Sequence, residues 1–426
     1  MPCPPGVDRS VGRLRLQVLG ALLISALVGA CSSSPARTAS SPSSPVASAS
    51  ASPQPSGATR SAVPPHTTSA AAPSSARPVV PPPPSPTPSR IAALTQAQLA
   101  GQRIIYSYPG LNPPAALLQR IRAGEAAGVI FFGQNVSSEA QIGSVIAELR
   151  QAQAASPVHV PLLLMTDQEG GLVRRLPGAP VLSEKLVGAT GDPAVAASAG
   201  AGAAQNLTGV GMNVNLAPVL DVFHSAGDFA DQAQRSFSDV PSVVASMGRA
   251  FITSQQQGGV AATAKHFPGL GAAATAQNTD LGPVTLDQSL SSLRTVDEAP
   301  YPAAIAAGVK LIMLSWAVYP ALDPAHPAGL SATVVQQELR SRLGFTGVTI
   351  TDALEAKALS PFGTTPQLAV AAARAGMDLL LCSAQDVGQG ETAAGALESA
   401  LTNGQLDPST FRAAAARVTA LRAGLR

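Results

Sequence analysis

The stretch AKHFPG at residues 264–269 places a lysine and a histidine side by side where a hydrophobic run ends. Two other segments share this arrangement: LLLMTDQEGG at 162–171 ends in acids and glycines, and VTITDA at 348–353 ends in one aspartate. A strand end is held rigidly, whereas the loop beyond it is open to a ligand. The pattern therefore predicts a ligand site at the carboxyl-terminal rim of a parallel sheet or barrel.

Short apolar runs recur through residues 91–426 and predict eight strands that are buried on both faces. The runs lie at 103–106, 128–132, 160–165, 212–222, 260–265, 309–314, 347–350 and 377–382. Alanine-rich stretches with helical spacing lie at 138–154, 193–210, 242–257, 301–307, 333–343 and 365–375, and a final helix is predicted at 408–425. This alternation predicts a (β/α)8 barrel. An open doubly wound sheet fits less well, because the charged strand ends are spread over the whole segment.

The composition argues against several classes of protein. The formal net charge is only +2, and no basic stripe with interleaved aromatic residues is present, so we expect no nucleic-acid binding. The spacing of Cys3, Cys31 and Cys382 fits neither a zinc site nor a disulfide framework, and the five histidines show no metal-ligand pattern. The GLG pattern at 269–271 lacks the remainder of a dinucleotide fingerprint. We therefore expect no metal site and no nucleotide cofactor.

The N-terminal segment 1–30 is similar to a bacterial lipoprotein signal peptide. Arginines precede an apolar run that is too short to span a bilayer comfortably and that ends LVGAC at 27–31. This predicts cleavage before Cys31, lipid on that cysteine, and attachment to the outer face of the cell membrane; the alternative is an ordinary signal peptide. Residues 31–90, rich in Ser, Pro, Ala and Thr, predict a disordered tether. Cys382 would then be the one remaining thiol, in a buried strand.

Candidate functional side chains lie at the predicted strand ends. Asp352 follows the seventh strand, where a carboxylate can act as a nucleophile, a general base or a cation clamp, or can merely cap the next helix. Lys265 and His266 can reach one ligand only if the chain bends, and we expect Pro268 and Gly269 to supply that bend. Otherwise the pair is a surface lysine beside a core histidine.

Two further pairs of charged residues are candidates. Asp167 and Arg175 together offer acceptors and donors for the hydroxyl groups of a polyol, or they form an ion pair that only steadies the loop. Asp221 ends the predicted fourth strand, and Arg235 lies in the loop beyond it. For Asp221 we expect a buried pair with Arg235, which would explain both residues without catalysis.

Taken together, these motifs resemble glycoside hydrolase family 3, in particular its single-barrel β-N-acetylhexosaminidase branch. The similar segments are DQEGG at 167–171 with Arg175, NLAPVLDV at 215–222, RSF at 235–237, KHFPG at 265–269 and ITDAL at 350–354. They occur in order along residues 91–426, the predicted barrel domain. Several motifs in sequence are far more specific than any one of them.

The resemblance implies a retaining, exo-acting glycosidase that removes β-linked N-acetylglucosamine from a cell-wall-derived glycan or muropeptide. Asp352 falls where the family keeps its catalytic nucleophile. The side chains that would hold the terminal sugar are Asp167, Arg175, Arg235, Lys265 and His266. The resemblance implies no cofactor. We expect a monomer that contacts the membrane only through its lipid anchor.

The loop after KHFPG departs from the family pattern. That branch normally continues with His-Gly and then Asp-Ser-His, whose final histidine is the general acid/base. Here Ala276 stands for the orienting aspartate and Asn278 for the histidine, and asparagine cannot deliver a proton at neutral pH. A second departure is Leu172, where the family often has an arginine.

Three alternatives follow from this departure. Asp280 acts as a substitute acid if an apolar pocket or a nearby carboxylate raises its pKa, although residues 278–280 would also suit a simple turn. In the second alternative, the enzyme processes substrates whose leaving group needs no protonation. In the third, the domain is a catalytically impaired, glycan-binding lipoprotein. A β-glucosidase-like enzyme with another sugar preference is a further alternative.

Overall fold

The computed structural model describes residues 93–425. Within this range, eight parallel strands close into a barrel in which each strand pairs with its neighbours in chain order and the last pairs with the first. The predicted (β/α)8 architecture is thereby confirmed. The predicted signal peptide at 1–30, the tether at 31–90 and the lipid site at Cys31 lie outside the described residues.

All eight predicted strands form; seven differ from the predicted runs only at their ends, and the fourth is much shorter. They are β1 Ile104–Tyr106, β2 Gly128–Ile130, β3 Leu163–Thr166, β4 Val214–Asn215, β5 Ala261–Phe267, β6 Leu311–Leu314, β7 Val348–Ala353 and β8 Leu379–Leu381. Two antiparallel hairpins follow β3 and β6: Gln168–Gly170 with Val173–Arg174, and Val318–Tyr319 with Asp323–Pro327.

Helices connect the strands, and the predicted ones are present within a few residues. The principal helices are Gln96–Gly101, Ala115–Ala123, Glu139–Ala154, Glu184–Ala189, Pro193–Val210, Pro241–Gln257, Tyr301–Ala306, Thr333–Arg342, Thr365–Ala375, Val387–Thr402 and Pro408–Ala423. The segment Thr333–Arg342 has π-type hydrogen bonding, and the last helix ends two residues before its predicted limit. No helix among residues 93–425 is long and apolar enough to cross a membrane.

The local sequence explains where several helices begin and end. Ser138 and Asp192 accept hydrogen bonds from the first turns of the helices that follow them, and Pro193 occupies the first turn, where a missing N–H is harmless. Gly211 and Gly376 close helices in the left-handed conformation, which glycine adopts without steric cost. Short helices with defined ends let the chain return to the bottom of the barrel after each strand.

The barrel has two apolar layers that face opposite sides of the strands. Ile105, Met165 and Ile350 belong to the group of buried side chains that fills the barrel interior, whereas Ile104 packs in the larger layer between strands and helices. Both faces of each strand are therefore buried, which explains the continuous apolar runs. Cys382 lies directly after β8 rather than within it, and its thiol is buried and free.

The fourth strand is much shorter than predicted. Only Val214 and Asn215 pair regularly with their neighbours, and Val219 forms one further isolated bridge, with Lys265 on β5. Pro218 interrupts the ladder because it has no N–H to donate. Asp221 therefore lies in the segment beyond the strand, not at its end.

Two of the three glycines in the helix Pro193–Val210 have contrasting surroundings. At Gly200 a Cβ would lie 2.3 Å from the backbone oxygen of Phe251 on the helix Pro241–Gln257, whereas at Gly209 nothing lies within 4 Å. Gly200→Ala is expected to destabilise the protein by about 1–3 kcal/mol through overpacking. Gly209→Ala is the matched control and should be neutral or stabilising by less than about 1 kcal/mol. Urea denaturation measures both, and equal effects would contradict the close helix contact.

Candidate active site

The carboxyl-terminal ends of the strands surround a cavity of about 410 Å³. This volume is within the range of ligand pockets, roughly 300–1,000 Å³. All seven side chains to which the sequence assigned binding or catalytic roles line it: Asp167, Arg175, Arg235, Lys265, His266, Asp280 and Asp352. The barrel thus brings together residues from the loops after β3, β4 and β5 and from the ends of β5 and β7.

A buried ionic cluster forms one wall of the cavity. The Lys265 ammonium lies 2.9 Å from Asp167 Oδ1 and 2.6 Å from Glu169 Oε1. Arg235 donates two hydrogen bonds to the Glu169 carboxylate, at 2.9 and 2.8 Å. Lys265 is only 1% exposed, so the alternative of a surface lysine is wrong. Glu169 has the central position in this cluster, and the sequence analysis assigned it no role.

The cluster shifts the pKa of two buried carboxyl groups in opposite directions. Burial alone would raise the pKa of Glu169, but the charges of Arg235 and Lys265 outweigh burial and hold it at about 2. Glu184 is buried behind this layer and accepts from the backbone N–H of Val219. Burial and the neighbouring Glu169 raise the pKa of Glu184 well above its usual range. The Glu169 carboxylate is therefore stabilised as an anion, whereas the Glu184 carboxylate is not.

Asp221 organises the end of β5 and does not pair with Arg235. Its Oδ2 lies 2.7 Å from Nδ1 of His266, and its Oδ1 accepts from the backbone N–H groups of His266 and Leu270 at 3.1 and 2.7 Å. Burial opposes ionisation of Asp221, but His266 and these hydrogen bonds together lower its pKa. The predicted Asp221–Arg235 pair is wrong. The Arg235 guanidinium binds Glu169, and Asp221 binds His266.

Lys265 and His266 both line the cavity although they are consecutive residues. The peptide bond between them is in the cis form, and so is the bond between Phe267 and Pro268. The expected bend at Pro268 and Gly269 lies just beyond the pair. With Nδ1 of His266 directed at Asp221, the other ring nitrogen is the one left for a ligand.

The hairpin after β3 presents Asp167 and Arg175 to the cavity. Nη2 of Arg175 lies 3.7 Å from Oδ2 of Asp167, and its buried Nε has no hydrogen-bond partner in the described part of the chain. The buried side chain of Gln168 holds the hairpin by accepting from the backbone N–H groups of Arg175 and Leu176. The ion pair is therefore loose, and Arg175 keeps a donor for a ligand.

Asp352 lies at the end of β7 and is partly buried. Its Oδ1 accepts a 2.8 Å hydrogen bond from the N–H of Ala353. The following helical turn, Lys357–Phe362, begins five residues later and has Ala356 as its N-cap. Asp352 is thus not a helix cap, and its second carboxylate oxygen makes no hydrogen bond within residues 93–425.

Asp280 belongs to a turn and also lines the cavity. The Asn278 side chain accepts from the N–H of Asp280 at 2.8 Å, so the predicted turn exists. The turn is fixed to the loop after β7, because Thr279 and Asp280 accept from the N–H groups of Ala358 and Lys357 at 3.0 and 3.3 Å. Asp280 is exposed at the mouth of the cavity. Even so, partial desolvation and the charge of Asp352 raise the pKa of its carboxyl group.

Two features of the cavity were not predicted from sequence. Glu355 and Gln385 both line it, near the ends of β7 and β8. Glu355 accepts from the Ser383 hydroxyl at 2.6 Å and from the Gln389 amide at 3.1 Å. Its position three residues after Asp352 is the one sequence signal for it. In the range 93–425 no group of three or more His, Cys, Asp or Glu side chains is arranged to hold a metal ion.

A closed parallel barrel with carboxylates and cations around a polar pocket at the carboxyl ends of its strands is the arrangement of a (β/α)8 enzyme. Comparisons with known proteins specify the class further. Residues 90–421 match the family model of the glycosyl hydrolase family 3 N-terminal domain. A protein of Arthroderma benhamiae named "Uncharacterized secreted glycosyl hydrolase" is 46% identical over 336 residues, which cover 78% of this chain and 95% of that protein.

Two solved structures are similar in sequence and fold. A family 3 β-N-acetylglucosaminidase from Paenibacillus sp. FPU-7 is 34% identical with a TM-score of 0.74, over 78% of this chain and 63% of that chain. A β-N-acetylhexosaminidase from Beutenbergia cavernae is 31% identical with a TM-score of 0.69, over 77% of this chain and 98% of that chain. The chain belongs to glycosyl hydrolase family 3 and is a β-hexosaminidase-like glycosidase.

Glu169→Gln should remove the anion that holds Lys265 and Arg235 together. We expect a loss of about 3 kcal/mol in the free energy of unfolding near pH 7, because Arg235 loses its carboxylate partner and buried Lys265 keeps only Asp167. The folded-state pKa of about 2 lies below the ordinary value of 4.5. The Glu169 contribution is therefore present above about pH 4.5 and is lost as the pH falls toward 2. The difference from wild type should shrink over that range.

Denaturant titrations at several pH values measure this effect. Glu148→Gln is the matched control, since Glu148 is exposed on a helix, and it should change stability by less than about 0.5 kcal/mol. A Glu169→Gln variant as stable as this control at pH 7 would contradict the stabilising role of the cluster.

Proposed function

We propose that the protein is a retaining, exo-acting β-N-acetylglucosaminidase that acts on cell-wall-derived glycans or muropeptides. The observation that carries the proposal is the single cavity lined by all seven candidate side chains. The named activities of the Paenibacillus and Beutenbergia proteins support the choice of sugar. The proposal needs no metal and no organic cofactor.

The charged wall of the cavity would bind the terminal sugar. Asp167 accepts hydrogen bonds from sugar hydroxyls, whereas Lys265 and Arg235 donate to their oxygens. Arg175 and the outward ring nitrogen of His266 add two further directional contacts. Because Glu169 and Asp221 already fix this wall, little side-chain ordering is required when the sugar binds.

Asp352 would act as the nucleophile. Its carboxylate attacks the anomeric carbon, the bond from that carbon to the leaving-group oxygen breaks, and a covalent glycosyl-enzyme forms. Asp280 would donate a proton to the departing oxygen. It would then take a proton from the water that attacks the anomeric carbon, which releases the sugar and regenerates the Asp352 carboxylate.

The raised pKa of Asp280 supports its role as the proton donor, since a protonated carboxyl is needed in the first step. Its attachment to the loop after β7 supports the same role, because the two carboxyl groups are then held on connected segments.

One observation favours a second candidate, a sugar-binding protein with little hydrolysis. Asn278 stands in the register of the family histidine and uses its side chain in the turn.

The cellular location remains a proposal. We infer a lipid anchor at Cys31 on the outer face of the membrane from the run at 18–31, and an extracellular site of action is supported by the name of the Arthroderma protein. The monomeric state is proposed on the basis that a single chain supplies every candidate side chain of the cavity.

Hydrolysis of aryl β-N-acetylglucosaminide by wild type and Asp352→Ala is the central test. The substitution should reduce turnover by more than about a thousandfold, because the covalent intermediate cannot form. The fold should persist, since the carboxylate bonds only to its neighbouring N–H. Asp287→Ala, an exposed aspartate outside the cavity, should retain activity. Unchanged turnover in Asp352→Ala would exclude it as the nucleophile.

Asp280→Asn should lower kcat/KM for substrates with poor leaving groups by roughly 100-fold or more and leave kcat/KM for activated aryl glycosides almost unaffected, because kcat/KM reports the first step. In wild type, cleavage of poor leaving groups should decline as the pH rises through the raised pKa of Asp280, because the proton is then lost. Rates on a natural disaccharide and on a nitrophenyl glycoside across a pH series measure both effects. An equal loss of kcat/KM for all substrates would contradict a proton-donor role.

The same assays separate the alternatives. Preference for aryl β-glucoside over the N-acetylated substrate would favour a β-glucosidase-like enzyme. Activity on neither sugar, together with retained binding of N-acetylglucosamine, would favour the glycan-binding protein.

A further inference from the structure

Gln385 has an unusual backbone conformation at the edge of the cavity. In the described range, only Gln234 and Gln385 combine a side chain with a positive φ angle, and both have φ of 58°. This left-handed region is unfavourable for residues other than glycine, asparagine and aspartate. Such a conformation persists only where the surroundings impose it, and it occurs preferentially at functional sites.

The surroundings of Gln385 hold its backbone firmly. Its N–H donates to the Ser107 hydroxyl at 2.8 Å, and that hydroxyl donates to the carbonyl of Cys382 at 2.8 Å. On the other side, Ser383 donates to Glu355 at 2.6 Å. Residues after both β1 and β7 thus fix the loop that follows β8, and they direct the Gln385 side chain to the cavity.

The side-chain amide of Gln385 is not used within the protein. It is half-buried and lines the cavity, yet it has no hydrogen-bond partner among residues 93–425. The other uncharged polar side chains of the cavity are less available. The Ser383 hydroxyl binds Glu355, the Asn278 oxygen binds the N–H of Asp280, and Thr279 offers a single oxygen. Gln385 alone presents a free donor and a free acceptor on one planar group.

Apolar side chains line the same arc of the barrel. β8 pairs with β1, and β1 pairs with β2, so the ends of these strands are neighbours. Leu381 from β8 and Ile130 and Phe132 from the end of β2 line the cavity there. The charged wall arises instead from the loops after β3 and β4 and from the end of β5. Apolar side chains line other parts of the cavity as well, but in this arc they occur together with a free amide, which suits a group that has one methyl and one neutral amide.

We propose that Gln385 binds the 2-acetamido group of the terminal sugar, with its N–H₂ donating one hydrogen bond to the acetamido carbonyl. The acetamido methyl then contacts the apolar side chains of the β8–β2 arc. This inference rests on the proposed function and assigns the residue that discriminates an N-acetylated sugar from glucose. A hydroxyl at the same position is shorter and has no methyl group, so it would leave the apolar contact unfilled.

The test compares wild type with Gln385→Gly in the full chain. Glycine keeps the left-handed backbone and removes only the side chain, so thermal stability should not fall. We expect kcat/KM for aryl β-N-acetylglucosaminide to fall about tenfold, the scale of one lost polar contact, while the value for aryl β-glucoside changes less than twofold. Gln234→Gly is the matched control for the backbone change and should leave the ratio of the two values unchanged.

Binding of N-acetylglucosamine and of glucose is measured in parallel by calorimetry on the Asp352→Ala background. Suppose that wild type proves hydrolytically inactive while Gln385→Gly weakens binding of N-acetylglucosamine but not of glucose. The proposed function then fails, and the assignment of Gln385 stands. An unchanged selectivity ratio, or equal losses for both sugars, would overturn the assignment. Failure of the Asp352→Ala protein to bind N-acetylglucosamine would overturn it too.

Discussion

The buried ammonium of Lys265 is the contact on which the rest of the pocket depends. It joins Asp167 and Glu169, which follow β3, to the end of β5, and Glu169 in turn fixes Arg235 from the loop after β4. Burial lowers the pKa of Lys265, but the two carboxylates that face the ammonium outweigh burial and raise that pKa. The same contacts that stabilise this charge also set the spacing of the polar groups around a sugar.

The barrel could be predicted from sequence because each strand is buried on both faces and each helix has recognisable limits. The apolar runs at 128–132 and 347–350 and the caps at Ser138 and Asp192 carry this information locally. The short β4 could not be predicted in the same way. The run at 212–222 is apolar throughout, and Pro218 ends the ladder although hydrophobicity continues.

The members of the site could be predicted, but their partners could not. Strand ends and family motifs identify Asp167, Lys265 and Asp352, since each follows an apolar run. Pairing depends on which side chain reaches which neighbour across the mouth of the barrel. Arg235 binds Glu169, and Asp221 binds His266. The spacing of these residues in the sequence does not predict either pair.

The attachment of the 279–280 turn to residues 357–358 has a consequence for how the pocket opens and closes. Segments that exchange ligands are normally those that separate most easily from their neighbours. Here the turn that carries Asp280 and the loop that follows Asp352 are joined by two hydrogen bonds between their main chains. Other parts of the rim that lack such a connection would therefore separate more easily when the pocket exchanges a ligand.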